Sequence, residues 1–247
     1  MFRLGRTKTT VEQKERGIPM TVVLSPPAPA MDRIGRDSTR ITLADLLGRL
    51  GNVPLERVLL TPPPGTATVA DAISHPLCEL LEGTLVEKAM SYFESRLAMI
   101  LVWALETFLE RNAMGYVVGP DAQTLVMPDK IRIPDVSFVR WERTPNHQVS
   151  TDPIGSIIPD LAVEVLCSSN TTAEIELKRS ELFRGGMRLM WVLDPVAETV
   201  EVFTGPSDRR LLTAGESLDG GDVIPGFQLS IREWLDRARH GHHGAPH

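Results

Sequence analysis

Glu164 stands inside LAVEVL, residues 161–166, where every neighbour is apolar. Such a run reads as a strand buried on both faces. An ionised carboxylate there costs several kcal/mol unless a cation or hydrogen-bond donors compensate it. The chemistry this suggests is capture of a hard divalent cation; the plainer reading is a structural arginine partner or an exposed sheet edge. Asp135 follows Pro134 at the start of DVSFV. Proline is tolerated at a strand's first position, and an Asp beside it often only tops a turn. Next to Glu164 it becomes a second oxygen ligand. Pro159-Asp160 is a competing pair. On one strand, Asp160 and Glu164 face the same way but lie roughly 13 Å apart. Oxygens sharing one Mg²⁺ each sit about 2.1 Å from it. Asp135, on another strand, can share that ion where Asp160 cannot easily do so.

Two helical stretches carry further candidates. In TTAEIELKRSELF, Ile175, Lys178 and Leu182 recur at i, i+3 and i+7, so the lysine shares an apolar stripe aimed at the sheet. The alternative is snorkelling, with the stem packed and the ammonium in water. Glu94 lies within the stripe of the longest helix, and Glu87 just precedes that helix. Acids near a helix N-terminus are also favoured by the dipole alone. His240, His242, His243 and His247 crowd the C-terminus and read as a solvated tail.

These residues need elements to position them. Residues 1–40 are rich in proline and charge without apolar periodicity and read as a disordered tail. Residues 41–76 form a small helical accessory segment, with Thr42 as an N-cap, Gly51 as a stop and a short helix at Val69–Ser74. Residues 77–238 form the main domain and residues 239–247 a His-rich tail. The main domain opens with a hairpin turning at Glu82-Gly83. A long helix over Lys88–Asn112 follows, with Phe93, Leu97, Leu101, Ala104 and Phe108 as its stripe. Short strands come next in GYVVG, QTLVM, IRI and DVSFV, then LAVEVL, a helix over 171–184, LMWVLD, further antiparallel strands and a last helix in REWLDRAR. The order predicts an α/β (α+β) fold, a mixed sheet flanked by helices.

The 247 residues suit one medium domain with appendages, and 42% hydrophobic with 23% charged residues is ordinary for a chain with a sizeable core. Cys78 and Cys167 have no metal-ligand spacing, which favours a reducing compartment. No apolar run reaches the length of a membrane span, and Thr21–Leu24 is too short for a secretory signal, so a cytoplasmic location is expected. A net charge of −6 argues against indiscriminate, tight DNA binding.

The ordered set CELLEGTLVEKAMSYFESRLA, IRIPDVSFVRW and PDLAVEVLCSSNTTAEIELKRSELFRGGMRLMWVLDP resembles the PD-(D/E)xK nuclease superfamily, and within it the Uma-two family of restriction endonucleases. The resemblance implies a restriction-endonuclease-like fold and Mg²⁺- or Mn²⁺-dependent hydrolysis of DNA. It implies that Asp135 and Glu164 are the metal-binding acids, Lys178 the catalytic lysine, and Glu94 or Glu87 the helical acid. The general signature places its lysine two residues after the strand Glu, where this chain has Leu166; in the family the lysine sits on the helix. Cys167 and Phe183 replace a usual Ser and Tyr. On this reading the Val165 carbonyl joins the metal ligands, and Arg132, Arg140, Arg179 and Arg188 contact DNA phosphates. A homodimer is a possible assembly. The rival expectation is a catalytically inactive nuclease-like fold that serves as a DNA-binding or scaffold module.

Overall fold

The computed structural model describes residues 42–241. The tail over 1–40, and His242, His243 and His247, lie outside the described residues. Two capping boxes open the chain. Thr42 caps α1 (Leu43–Arg49), its hydroxyl accepting from the Asp45 amide while the Asp45 carboxylate accepts from the Thr42 amide. Thr68 and Asp71 repeat the device for α2 (Val69–Ser74). Strands β1 (Cys78–Leu81) and β2 (Thr84–Glu87) then form a hairpin. Glu82 and Gly83 both have positive φ, 48° and 66°, the two-residue turn whose twist matches paired strands.

The long helix α3 covers Tyr92–Leu109 and begins four residues later than its periodicity suggests. Ser91 is its extended N-cap. Lys88 stays outside the helix because its ammonium is bonded to the Pro120 and Pro134 carbonyls, 2.8 and 3.1 Å away. There follow β3 (Gly115–Val118), β4 (Thr124–Met127), β5 (Lys130–Arg132), β6 (Val136–Arg140), β7 (Leu161–Val165), α4 (Thr172–Arg184) and β8 (Leu189–Asp194). The chain ends with β9 (Thr199–Phe203), β10 (Arg209–Thr213), β11 (Ser217–Asp219), β12 (Gln228–Ser230) and α5 (Ile231–His240). Arg239 and His240, expected in the tail, therefore complete α5.

The strands divide into three sheets rather than one. The central sheet has the order β10-β9-β8-β7-β6-β3 and is antiparallel except for the parallel pair β7–β8, which α4 connects. A second, antiparallel sheet has the order β2-β1-β5-β4, and β11 pairs only with β12. The break between the first two sheets falls at Ile133-Pro134, between β5 and β6. Proline donates no ladder hydrogen bond, so it ends one pairing and lets the next strand start in another sheet.

Alternation along β7 sorts its side chains. Leu161, Val163 and Val165 enter the core shared with Leu97, Leu101 and Trp234 of α3 and α5. Ala162 packs with Ile175 and Leu182 of α4 on the other face, joined by Leu166. Leu97, Leu101 and Leu105 are fully buried, each contributing about 2 kcal/mol. Glu164 lies on the α4 face. The N-terminus of α4 is held by the accessory segment: Arg57 makes a bidentate pair with Glu174, 2.7 and 3.0 Å, and also bonds the Ser169 carbonyl. Among the described residues no helix is long and apolar enough to cross a membrane.

Candidate functional site

Backbone pairing sets Asp135 against β7 on both sides of Glu164. The Asp135 amide donates to the Val163 carbonyl at 3.0 Å, and the Val165 amide donates to Asp135 Oδ2 at 2.6 Å. The two carboxylates are thus neighbours on adjacent strands, 3% and 5% exposed. The Asp135 charge also raises the pKa of Glu164. Asp160, at the far end of β7, accepts from the Arg140 amide and lies 3.3 Å from Arg143, so it is a structural acid.

Lys178 comes from the inward stripe of α4. Its Nζ lies 2.9 Å from Glu164 Oε2, 3.0 Å from Glu79 Oε1 and 3.0 Å from the Ile133 carbonyl. Glu79 Oε1 also accepts from the Ile133 amide at 2.9 Å. The peptide groups leading into Asp135 are therefore gripped from both sides. From Glu79 the ion pairs continue through Arg132 to Glu181 and Lys130. Lys88 closes the other end, 2.8 Å from Asp135 Oδ1. The buried acids Glu79, Asp135, Glu164 and Glu181 face the bases Lys88, Lys130, Arg132 and Lys178, and Lys130 also pairs with the exposed Glu82, so the connected set carries one excess negative charge when all are ionised.

Burial does not act alone on these groups. It raises Glu164, and the opposing pull of Lys178 leaves the carboxyl at about 7, with Asp135 adding to the rise. Burial also raises Glu79, but Lys178 and Arg132 outweigh it and hold that carboxyl at about 2. Burial disfavours the Lys178 ammonium, yet Glu164, Glu79 and Asp135 together raise its pKa. Lys178 is therefore cationic at neutral pH. It can stabilise negative charge, but it has no free lone pair with which to act as a base.

One oxygen of each acid is buried without a hydrogen-bond partner, Asp135 Oδ1 and Glu164 Oε1. Lys88 and Lys178 each approach their oxygen to 2.8 Å, but outside hydrogen-bonding angles. Two such oxygens on one buried site fit a hard cation that would share them with, or displace, the two ammonium groups. Among the described residues no group of three or more His, Cys, Asp and Glu side chains is arranged to hold a metal. Any cation would depend on this pair with backbone oxygen and water, which is how Mg²⁺ is commonly held.

The other expected residues fall in different places. Glu94 accepts from Ser91 Oγ at the start of α3, and the Glu87 side chain is exposed while its carbonyl accepts from Arg57. An acid that does meet Lys178 at the site is Glu79, on β1. Arg132 is a correction. It is fully buried and bonded to Glu79 and Glu181, so it cannot meet a phosphate. Arg140 pairs with Glu142, Arg179 lies 4.2 Å over the Phe203 ring, and Arg188 is exposed. Arg179 also lines a groove of about 640 Å³ beside α4, with Leu166, Thr171, Glu201 and Arg209.

Glu79, Lys88 and Glu181 went unmarked in the sequence. Glu79 had a signal, since it interrupts an apolar strand as Glu164 does. Lys88 had none, because it sits inside a stretch whose periodicity reads as helix.

The family model described as "Uma2: Putative restriction endonuclease" matches residues 74–232, more than half of the chain. A search of curated proteins gives no match. Among solved structures, a protein from Anabaena variabilis described as "a putative nuclease belonging to DUF820" aligns with a TM-score of 0.60 and 19% identity. The alignment covers 68% of this chain and 98% of that one. At such identity the likeness establishes the fold, a nuclease-like mixed α+β architecture. The matched span contains Glu79, Asp135, Glu164 and Lys178, and the chain belongs to the Uma2 family of restriction-endonuclease-like proteins.

Proposed function

We propose that the protein is a metal-dependent endonuclease that hydrolyses DNA phosphodiester bonds at Asp135, Glu164 and Lys178. The observation that carries this reading is the pair of buried carboxylates on adjacent strands, each with one oxygen that receives no hydrogen bond and is met only by a lysine ammonium at 2.8 Å. Asp135, Glu164 and the Val165 carbonyl would hold Mg²⁺ or Mn²⁺. When bound, such an ion supplies Lewis acidity at the phosphate and lowers the pKa of the attacking water. The chain's own residues do the rest. The Val165 amide and Lys88 orient Asp135. Lys178 holds the Glu164 carboxylate and offers its remaining positive charge to the pentavalent phosphate as negative charge builds on the oxygens. Of the arginines expected at backbone phosphates, Arg179 and Arg188 remain, half-buried and exposed, while Arg140 is held by Glu142 and the Asp222 and Val223 carbonyls.

The decisive measurement is cleavage of supercoiled and linear DNA with Mg²⁺ or Mn²⁺. Wild type nicks or linearises the DNA, and Asp135→Ala or Glu164→Ala lowers the rate at least about a hundredfold. Cleavage by either variant at the wild-type rate removes the ligand assignment. A second reading has one observation in its favour: Lys88 and Lys178 already neutralise both acids. On that reading the fold is an inactive DNA-binding or scaffold module, and Mn²⁺ titration of wild type shows no affinity dependent on Glu164.

A further inference from the structure

The carboxylate site leaves one feature of the surface unexplained. Helix α3 buries Leu97, Leu101 and Leu105, yet its opposite face carries Tyr92, Met99 and Trp103 at 90%, 53% and 51% exposure. Their spacing of seven and four residues places them in one stripe. The same stripe continues through Glu106 and Glu110, both exposed. Between Tyr92 and Met99 lies Arg96, exposed and fixed by bonds from its Nε and Nη2 to the Ala238 and Arg237 carbonyls of α5. Arg237 in turn stacks 3.7 Å over Trp103. Along the stripe the order is Tyr92, Arg96, Met99, Trp103 with Arg237 over its ring, then Glu106, whose Oε1 accepts from the Val117 amide at 3.2 Å, and Glu110, so the basic groups precede the acidic ones. Arg111 lies about 100° round the helix from Glu110 and does not alter this order.

We propose that this face is a homodimer interface, in which α3 of one copy packs antiparallel against α3 of a second copy. A face whose basic groups precede its acidic ones along one helix is complementary to itself when turned by a twofold axis. Placing Met99 opposite Trp103 of the second copy sets Arg96 opposite Glu106 and Tyr92 opposite Glu110. A parallel pairing would instead oppose like charges. Paired charges at the rim fix this register, while the buried aromatic and methionine contacts supply the affinity.

The test is sedimentation of the full chain over a range of concentrations. Wild type should approach twice 27.3 kDa at about micromolar to tens of micromolar protein. Met99→Glu and Tyr92→Glu, both at exposed positions where the fold should tolerate them and the second facing Glu110 with like charge, should each raise the dimer Kd about tenfold or more. Circular dichroism confirms that each variant folds. Arg96→Glu and Glu106→Arg should each weaken the dimer, and the double swap should bring its Kd back to within about threefold of wild type. A wild type that stays at 27.3 kDa throughout overturns the proposal. So does a dimer whose Kd is unmoved by Met99→Glu and Tyr92→Glu. A double swap that fails to recover overturns the antiparallel register.

Discussion

Lys178 divides one ammonium between Glu164 and Glu79. Lys178→Met therefore strands the buried Glu164 and leaves Glu79 to Arg132 and the Ile133 amide, a change that typically costs about 3–5 kcal/mol. A divalent cation would return the missing charge, so the variant should gain more in Tm from Mn²⁺ than wild type does, while losing cleavage. Equal Mn²⁺ shifts in the two proteins would show that the cation does not reach this cluster. The Glu79 carboxyl is the member of the network whose depressed pKa governs stability in acid. Its folded pKa of about 2 lies below the ordinary 4.5. A depressed carboxyl stabilises the fold fully above 4.5, and that stability is lost as pH falls through about 2. The shift is worth about 3 kcal/mol. Glu79→Gln should then be less stable than wild type at pH 7, with a shallower loss between pH 4.5 and 2 in urea titrations. Parallel curves would place the acid sensitivity elsewhere. At this scale Glu164 was legible because a charge among valines demands a partner. Lys178 was legible because it broke an apolar stripe. Glu79 also interrupts an apolar strand, but a four-residue strand in a hairpin normally has one wet face, so that signal gains weight only once the docking of β5 and α4 dries this one.

The elements matter because α4 must present Lys178 at the right height. Its first turn is clamped by Arg57 and by the end of α1, where Gly51 has a φ of +80°. A Cβ on Gly51 would come within 2.6 Å of the Glu174 Cα, a backbone atom that cannot rotate away. Gly51→Ala should therefore lower the unfolding free energy by several kcal/mol, well beyond the roughly 1 kcal/mol of an ordinary strained turn. Denaturant melts of the variant test this, and a loss below about 1 kcal/mol would mean that α1 does not press on α4. Arg57→Met should act through the same joint by leaving the buried Glu174 unpaired. The helices, hairpin and strand order could be read from period and turn chemistry. The sheet division could not, because pairing between β1 and β5 is settled by tertiary contact rather than by local pattern. Nor could the late start of α3, where Lys88 gives up a helical turn to bond two carbonyls and approach Asp135.

Across the whole molecule, the count of basic residues misleads unless it is divided into interior and surface. Arg57, Lys88, Arg132 and Lys178 are all consumed by buried partners. Of the four arginines first assigned to phosphates, Arg132 is lost to the interior, leaving Arg140, Arg179 and Arg188. The net charge of −6 then opposes the approach of DNA with little local relief. Each phosphate neutralised contributes about −0.9 to the slope of log K against log salt. Three arginines therefore give a slope no steeper than about −3. Fluorescence anisotropy with a duplex of about 20 base pairs, without divalent cation, measures that slope. Arg132→Gln should leave the slope unchanged, whereas Arg188→Gln should reduce it by about 1. A wild-type slope of about −6 or steeper would mean that further exposed arginines, such as Arg184, Arg209 and Arg232, also meet phosphates.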